Sequence, residues 1–381
     1  MSTVGIMSMQ RIWNYGSSLQ AYALRRLIEG LDDAHRVSYV DYRPGETLIE
    51  AARPRGGRVG RTLAKLREYN TPDVRLIDRW RFVNHKRHYA RRYFPPLGLP
   101  LQPNHDLDLD VQVIGSDEVF NCVQANTNVG YSRDLFGHGS PAGRLVSYAG
   151  SFGNTTWERI AAAGIRDELA EDFARFDVIS VRDENSAGIV EALTGTRPAV
   201  HVDPALAYDF LGRESRIPAG RLFPGRYLIV YGYSGRLTAA ENRELRRHAD
   251  QLGAAILTFG GVQPCGDRFI DCGPLELLAY FRDAEAVVTD TFHGTIFSLI
   301  NHVPFASLVR PSVGGGYGNE EKLGFLLDTF GLSGRRLTEP GRLASLLAEP
   351  IDFDSVDRIL QRERGRTLDY LTSAIGVNPA S

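Results

Sequence analysis

The sequence is nearly without lysine, cysteine and methionine, with three of each in 381 residues. The lysines are Lys65, Lys86 and Lys322, and arginine carries nearly all the positive charge. Cys122, Cys265 and Cys272 are odd in number and have neither CxxC nor Cys/His ligand spacing, which argues against a disulfide framework and a zinc site. A reducing cytoplasm fits that usage. No apolar run reaches bilayer-spanning length, and MSTVGIMSMQRIWNYGSSLQ lacks a basic stretch followed by an apolar core, so neither secretion nor membrane spanning is expected. With 44 Lys and Arg against 46 Asp and Glu, the net charge of −2 gives no global excess for nucleic acid. GxGxxG and Walker motifs are missing, so a classical dinucleotide site is unsupported. The lack of GxSxG, of HExxH and of a nucleophile signature around Cys122 lowers hydrolase and metalloprotease readings.

What is present reads as a soluble α/β chain of about two domains, 43% hydrophobic and 24% charged. VGIMS opens as a strand, and Leu19, Tyr22, Ala23, Leu27 and Leu31 recur at helical spacing, with Gly30 near the stop. VSYVDYRP follows as a strand. DVQVIGSDEVFN, RLVSYAGSFGN, DVISVRD and PAVHVDPAL then give four strands that end in small or charged residues, where open α/β sheets place ligands. Gly212–Arg226, rich in Gly, Pro and Arg, reads as a linker. It divides an N-terminal domain, 1–215, from a C-terminal domain, 226–345, with a helix at 351–375 that can pack back on the first. The second domain repeats the pattern: YLIVYGY, AAILTFG, AVVTD and VPFASLV as strands, with helices between them and a Gly314–Gly316 loop after. From Arg53 to Arg92 the chain is arginine-dense. Its second half predicts an amphipathic helix anchored by Leu76, Trp80 and Phe82 or Val83. That segment is a solvated face or a positive rim for an anionic substrate.

The stretch VVTDTFHGTIFSLINHVPFASL carries the clearest chemistry. His293 lies between a strand and a helix start, beside Asp290, Thr291, Gly294 and Thr295. Helix N–H groups, a glycine for close approach and threonine hydroxyls suit an anion, and an imidazole there can give a proton to a substrate. A capping histidine is the plainer alternative. Arg182 and Asp183 follow a strand directly, as a carboxylate or phosphate clamp or as a local ion pair. Ser116, Asp117, Glu118 and Asn121 form a polar cluster that could equally cap a helix. Gly16 sits in a tight turn before the first helix.

In order, NYGSSLQAYALRRL, VIGSDEVFN, VSYAGSFG, ISVRDENS, HVDPAL, YLIVYGY and VVTDTFHGTIFSLINHVPFASL resemble the polysaccharide pyruvyl transferase family from about Asn14 to Leu337. The resemblance implies an α/β architecture of two Rossmann-like domains facing across a cleft, similar to the GT-B glycosyltransferases. It implies transfer of the enolpyruvyl unit of phosphoenolpyruvate to two hydroxyls of a sugar, giving a cyclic ketal and phosphate. His293 and Arg182 would be the catalytic pair, the first as acid or phosphate contact, the second holding the donor. Asn14, Gly16, Ser17 and Gln20, with Ser116, Asp117 and Asn121, would form the acceptor wall. Ser151, Phe152 and Asp183 at neighbouring strand ends, and Asp290, Thr291, Gly294, Thr295 and Lys322, complete the expected binding set. Some relatives carry arginine where Thr291 stands, and Lys322 is the expected replacement cation.

No metal or further cofactor is implied, and the expected partners are phosphoenolpyruvate and a sugar or glycan acceptor, not nucleic acid. A lipid-linked acceptor would make the protein peripheral to a membrane. Two other functions fit the same features. One is a GT-B-like glycosyltransferase that binds a nucleotide diphosphate at the Thr291–Thr295 joint. The other is a non-catalytic glycan-binding relative.

Overall fold

A computed structural model describes residues 2–49, 73–105, 108–310 and 319–376. The Gly314–Gly316 loop and the 53–72 part of the basic segment lie outside the described residues. Twelve strands are described: β1 Thr3–Met7, β2 Arg36–Tyr39, β3 Val111–Asp117, β4 Arg144–Gly150, β5 Ser180–Val181, β6 Ala199–Val200, β7 Tyr227–Tyr231, β8 Ala255–Phe259, β9 Arg268–Phe269, β10 Ala286–Thr289, β11 Phe305–Leu308 and β12 Arg336–Leu337. They form two six-stranded sheets, β2-β1-β3-β4-β5-β6 and β12-β11-β10-β7-β8-β9. Every pairing is parallel. Helices cover both faces of such sheets, so their strands are buried throughout. β7 and β10 show this, with no exposed residue in either.

Each sheet has a point where the strand order reverses, between β1 and β3 in the first and between β7 and β10 in the second. Crevices open at the carboxyl ends of strands at such points. The residues following β1, β3, β7 and β10 are therefore the ones the fold offers to a ligand.

The two halves share one core, which runs from Val4 and Leu19 through Tyr231 and Phe297 to Leu371. Tyr15, at the start of the helix Tyr15–Glu29, donates to the Cys272 carbonyl oxygen at 3.1 Å. The C-terminal helix Phe353–Ile375 lies on the first sheet, where Tyr370 donates to the Ser147 carbonyl oxygen at 2.6 Å and Thr367 meets the Tyr148 hydroxyl at 3.0 Å.

The helix Leu76–Tyr93 keeps one of its expected anchors, Phe82, and turns the others outward. Its buried face is Asp78, Phe82, His85 and Tyr89, while Leu76, Trp80 and Val83 face outward. The reason is polar. Asp78 accepts the Phe269 N–H at 2.9 Å and His85 meets Asp271 at 2.7 Å, which turns the helix so that these groups, with Phe82, face the second domain.

Candidate active site

The crevice between the sheets has a volume of about 320 Å³. Its N-terminal wall is a chain of charged groups. Asn14 caps the helix Tyr15–Glu29, its side-chain oxygen accepting the Ser17 N–H at 2.7 Å, and the Ser17 hydroxyl donates to Asp117 at 2.7 Å. Arg182, at the end of β5, lies 3.8 Å from Asp117 and donates to Asp203 at 2.9 Å. The guanidinium also stacks over the Phe292 ring of the opposite wall, 4.3 Å from its centroid. Arg182 and Asp203 are both buried. Burial alone would depress the Arg182 guanidinium, but Asp203 and Asp117 outweigh it and its pKa rises. Burial would likewise raise the Asp203 carboxyl, yet His293 and then Arg182 hold it down at about 2. Asp203 is thus a fixed negative charge.

Two backbone conformations in this wall are uncommon for residues with a Cβ: Asp117 has φ of 73° and Ala149 φ of 47°. Each costs on the order of 1–3 kcal/mol and persists only where surrounding contacts impose it. At Asp117 the outcome is a carboxylate turned between Ser17 and Arg182.

The C-terminal wall is built from the joint after β10. Thr291 caps the helix Phe292–Ile300, its hydroxyl accepting the Gly294 N–H at 3.0 Å. Gly294 carries no side chain because a Cβ there would lie 2.2 Å from the Thr289 hydroxyl and 2.6 Å from the Tyr231 ring. His293 then projects at the first turn and reaches the opposite wall. Its Nε2 stands 3.5 Å from Asp203 Oδ2, a charge contact longer than an ordinary hydrogen bond, and has no hydrogen bond. The Nδ1 side lies on Gly16, where a Cβ would come within 2.2 Å of that nitrogen. The glycine in NYG is there to seat this ring.

Lys322, in the helix Glu320–Thr329, bridges the walls by pairing with Glu118 at 2.7 Å. Glu118 also accepts from Asn121 at 2.8 Å, and the charge of Lys322 holds its carboxyl at about 2 against burial.

Of the residues expected from the sequence, Asn14, Ser17, Asp117, Asn121, Arg182, Thr291, His293 and Lys322 line the crevice. Gly16 contacts His293 from behind. The others do not line it. Gln20 donates to the Ser8 hydroxyl and the Ser17 carbonyl inside the first domain. Ser116 donates to the Ala149 carbonyl oxygen, and Ser151 donates to Asp183, which itself caps the helix Glu184–Thr194. Phe152 belongs to the core beside Phe120 and Phe173. Thr295 meets Ser307 at 2.8 Å. Asp290 is fully buried, with Arg236 3.6 Å away, and burial outweighs that cation and Arg310 to push its carboxyl up. These positions support the wall and do not face its ligand side.

Asp203, Tyr233 and Arg236 are among the wall residues that were not singled out from the sequence. Asp203 was visible only as the end of HVDPAL, one strand end among four. Tyr233 and Arg236 follow β7, and a topological switch at that strand cannot be seen before the strand order is known. Among the described residues, no group of three or more His, Cys, Asp or Glu side chains could hold a metal ion.

Solved structures share this architecture. The S. aureus MnaA–UDP co-structure superposes with a TM-score of 0.53 at 9% identity, over 100% of this chain and 99% of that one. The UDP-GlcNAc 2-epimerase from Neisseria meningitidis bound to UDP-GlcNAc gives 0.51 at 7% identity, over 99% and 100%. At these identities the likeness is one of fold, and with the two parallel sheets it defines a two-domain α/β protein of the GT-B type. No curated protein matches the chain. A model of the polysaccharide pyruvyl transferase family matches residues 14–311, and the chain belongs to that family.

Proposed function

We propose that the protein transfers the pyruvyl unit of phosphoenolpyruvate to a sugar of a glycan, cell-wall or secondary-metabolite precursor as a cyclic ketal. The observation that carries this reading is the meeting of His293, Arg182 and Asp203 across the crevice, with 3.5 Å between imidazole and carboxylate and 2.9 Å between guanidinium and carboxylate.

Phosphoenolpyruvate needs cations for its carboxylate and phosphate and an acid for its methylene carbon. Arg182, Arg236 and Lys322 line the crevice as cations, and the helix Phe292–Ile300 starts at the same space, with Thr291, Phe292 and His293 in its lining. His293 gives its proton to the methylene carbon, which becomes the methyl group, while a sugar hydroxyl adds to the central carbon and passes its own proton to the imidazole, restoring it. The C–O bond to phosphate then breaks, and a second hydroxyl closes the ketal as its proton passes to the departing phosphate. Asp203 is the counter-charge for the imidazolium from which the first proton comes. Arg182, bonded to Asp203 at 2.9 Å, stays beside it as a cation when the imidazole has given up its proton.

The Thr291 position leaves the cation count to residues from other elements. Arg236 reaches the crevice from the loop after β7 and Lys322 from the helix Glu320–Thr329. Lys322 is paired with Glu118, so a donor that used it would exchange that contact for its own.

A thermal-shift panel of phosphoenolpyruvate, phosphate, pyruvate and nucleotide sugars tests the donor. Stabilisation by phosphoenolpyruvate that is lost in Arg182→Lys, a variant that keeps a cation beside Asp203, supports the proposal. A response to a nucleotide sugar with silence toward phosphoenolpyruvate contradicts it and favours a glycosyltransferase.

A further inference from the structure

The helix Leu76–Tyr93 carries an exposed apolar stripe that the crevice does not use. Leu76 is 79% exposed, Trp80 64%, Ile77 48% and Val83 42%. Leu76, Trp80 and Val83 follow one another at spacings of four and three residues, so they share a face. That face continues into Arg87 and Arg91, both exposed. The opposite face, with Phe82, His85 and Tyr89, is fixed against the second domain, so the stripe cannot roll inward.

We propose that this helix face docks the protein on an anionic lipid surface. An exposed tryptophan among aliphatic side chains suits the headgroup depth of a bilayer, and the arginines further along the same side can meet anionic lipid. Charge favours a membrane over an uncharged apolar partner. Between Asp73 and Phe94 the acids are Asp73 and Asp78, and Asp78 is buried in its bonds to Arg75, Arg81 and Phe269. The place also fits. Lys86 donates to the Trp13 carbonyl oxygen at 2.7 Å, and Trp13 precedes Asn14 at the crevice. A lipid surface against this helix would stand beside the N-terminal wall, where a membrane-borne acceptor could enter.

Co-sedimentation of the full chain with vesicles tests this without donor or acceptor, so its outcome is independent of the proposed reaction. Binding is expected to phosphatidylcholine vesicles that contain phosphatidylglycerol, weakening with salt, and not to phosphatidylcholine alone. The pair Leu76→Ser with Trp80→Ser and the pair Arg87→Glu with Arg91→Glu should each lower the partition coefficient by about tenfold or more. Both pairs change exposed residues, and unchanged thermal unfolding shows that the fold is kept. Absence of binding to the mixed vesicles overturns the proposal. So does binding that survives both pairs, or a dimer dispersed by Leu76→Ser with Trp80→Ser in a chain that ignores vesicles.

Discussion

The two walls of the crevice are made differently. The N-terminal wall is held by charge: Asp117, Arg182 and Asp203 fix one another through contacts of 3.8 and 2.9 Å, and Ser17 anchors the far end. The C-terminal wall is held by shape: Thr291 caps a helix, Gly294 packs without a side chain, and His293 lies on Gly16 with its Nε2 free of hydrogen bonds. The difference separates two tasks. Fixed charges can orient an anionic donor at no cost in reorganisation, whereas a group that must gain and lose a proton is better left without a strong hydrogen bond.

If that division holds, the walls should fail in different ways. His293→Asn should lower turnover by about 10²–10⁴-fold in steady-state assays at a smaller cost in stability, because the proton carrier is lost while Asp203 keeps its bond to Arg182. Arg182→Ala should act on stability as well, costing roughly 3–5 kcal/mol in denaturant unfolding, since Asp203 is left buried without its cation. Were the two substitutions to give the same phenotype, the contrast between the walls would be wrong.

Gly16 belongs to one wall and acts on the other. The methyl added by Gly16→Ala would displace the His293 ring, and a drop in rate of about 10²-fold is expected from misplacement alone. Loss of stability without loss of rate would show that the glycine serves helix packing and not the ring.

A pH titration probes the charged wall. The Asp203 carboxyl has a pKa of about 2 in the folded chain against an ordinary 3.8, so the unfolded chain takes up the proton more readily. Its contribution, on the order of 2 kcal/mol, is present in full above about pH 4 and fades as pH falls toward 2. Asp203→Asn should flatten the acid limb of the stability curve over that interval, which chemical denaturation at a series of pH values would show. The smallest effect is expected at Thr291→Ala, where loss of the helix cap costs about 1 kcal/mol in thermal or denaturant unfolding.

The same contrast governs what could be seen in the sequence. Local features were legible. The helix after Asn14 and the strand and helix flanking His293 each follow from periodicity or from a cap beside a glycine. The short strands β9 and β12, two residues each, left no periodic trace. Residues that depend on a partner far along the chain were misplaced or missed. Ser151 and Asp183 looked like wall residues because they end strands, but they bond each other beneath the surface. Asp203 became a site residue only once β6 and the His293 joint were brought together. On the helix Leu76–Tyr93, the apolar positions pointed to one face, and Asp78 and His85 chose another because they found polar partners in the second domain.

If the walls divide the work in this way, Arg182 of the charged wall holds the donor and the imidazole acts on it afterwards. Calorimetric titration of phosphoenolpyruvate into the wild type, Arg182→Lys and His293→Asn tests that directly. Binding to the wild type, weakened about tenfold or more in Arg182→Lys by loss of bidentate contact and kept in His293→Asn, is the predicted result. Equal affinity in the wild type and Arg182→Lys, or no binding to the wild type at all, would contradict it.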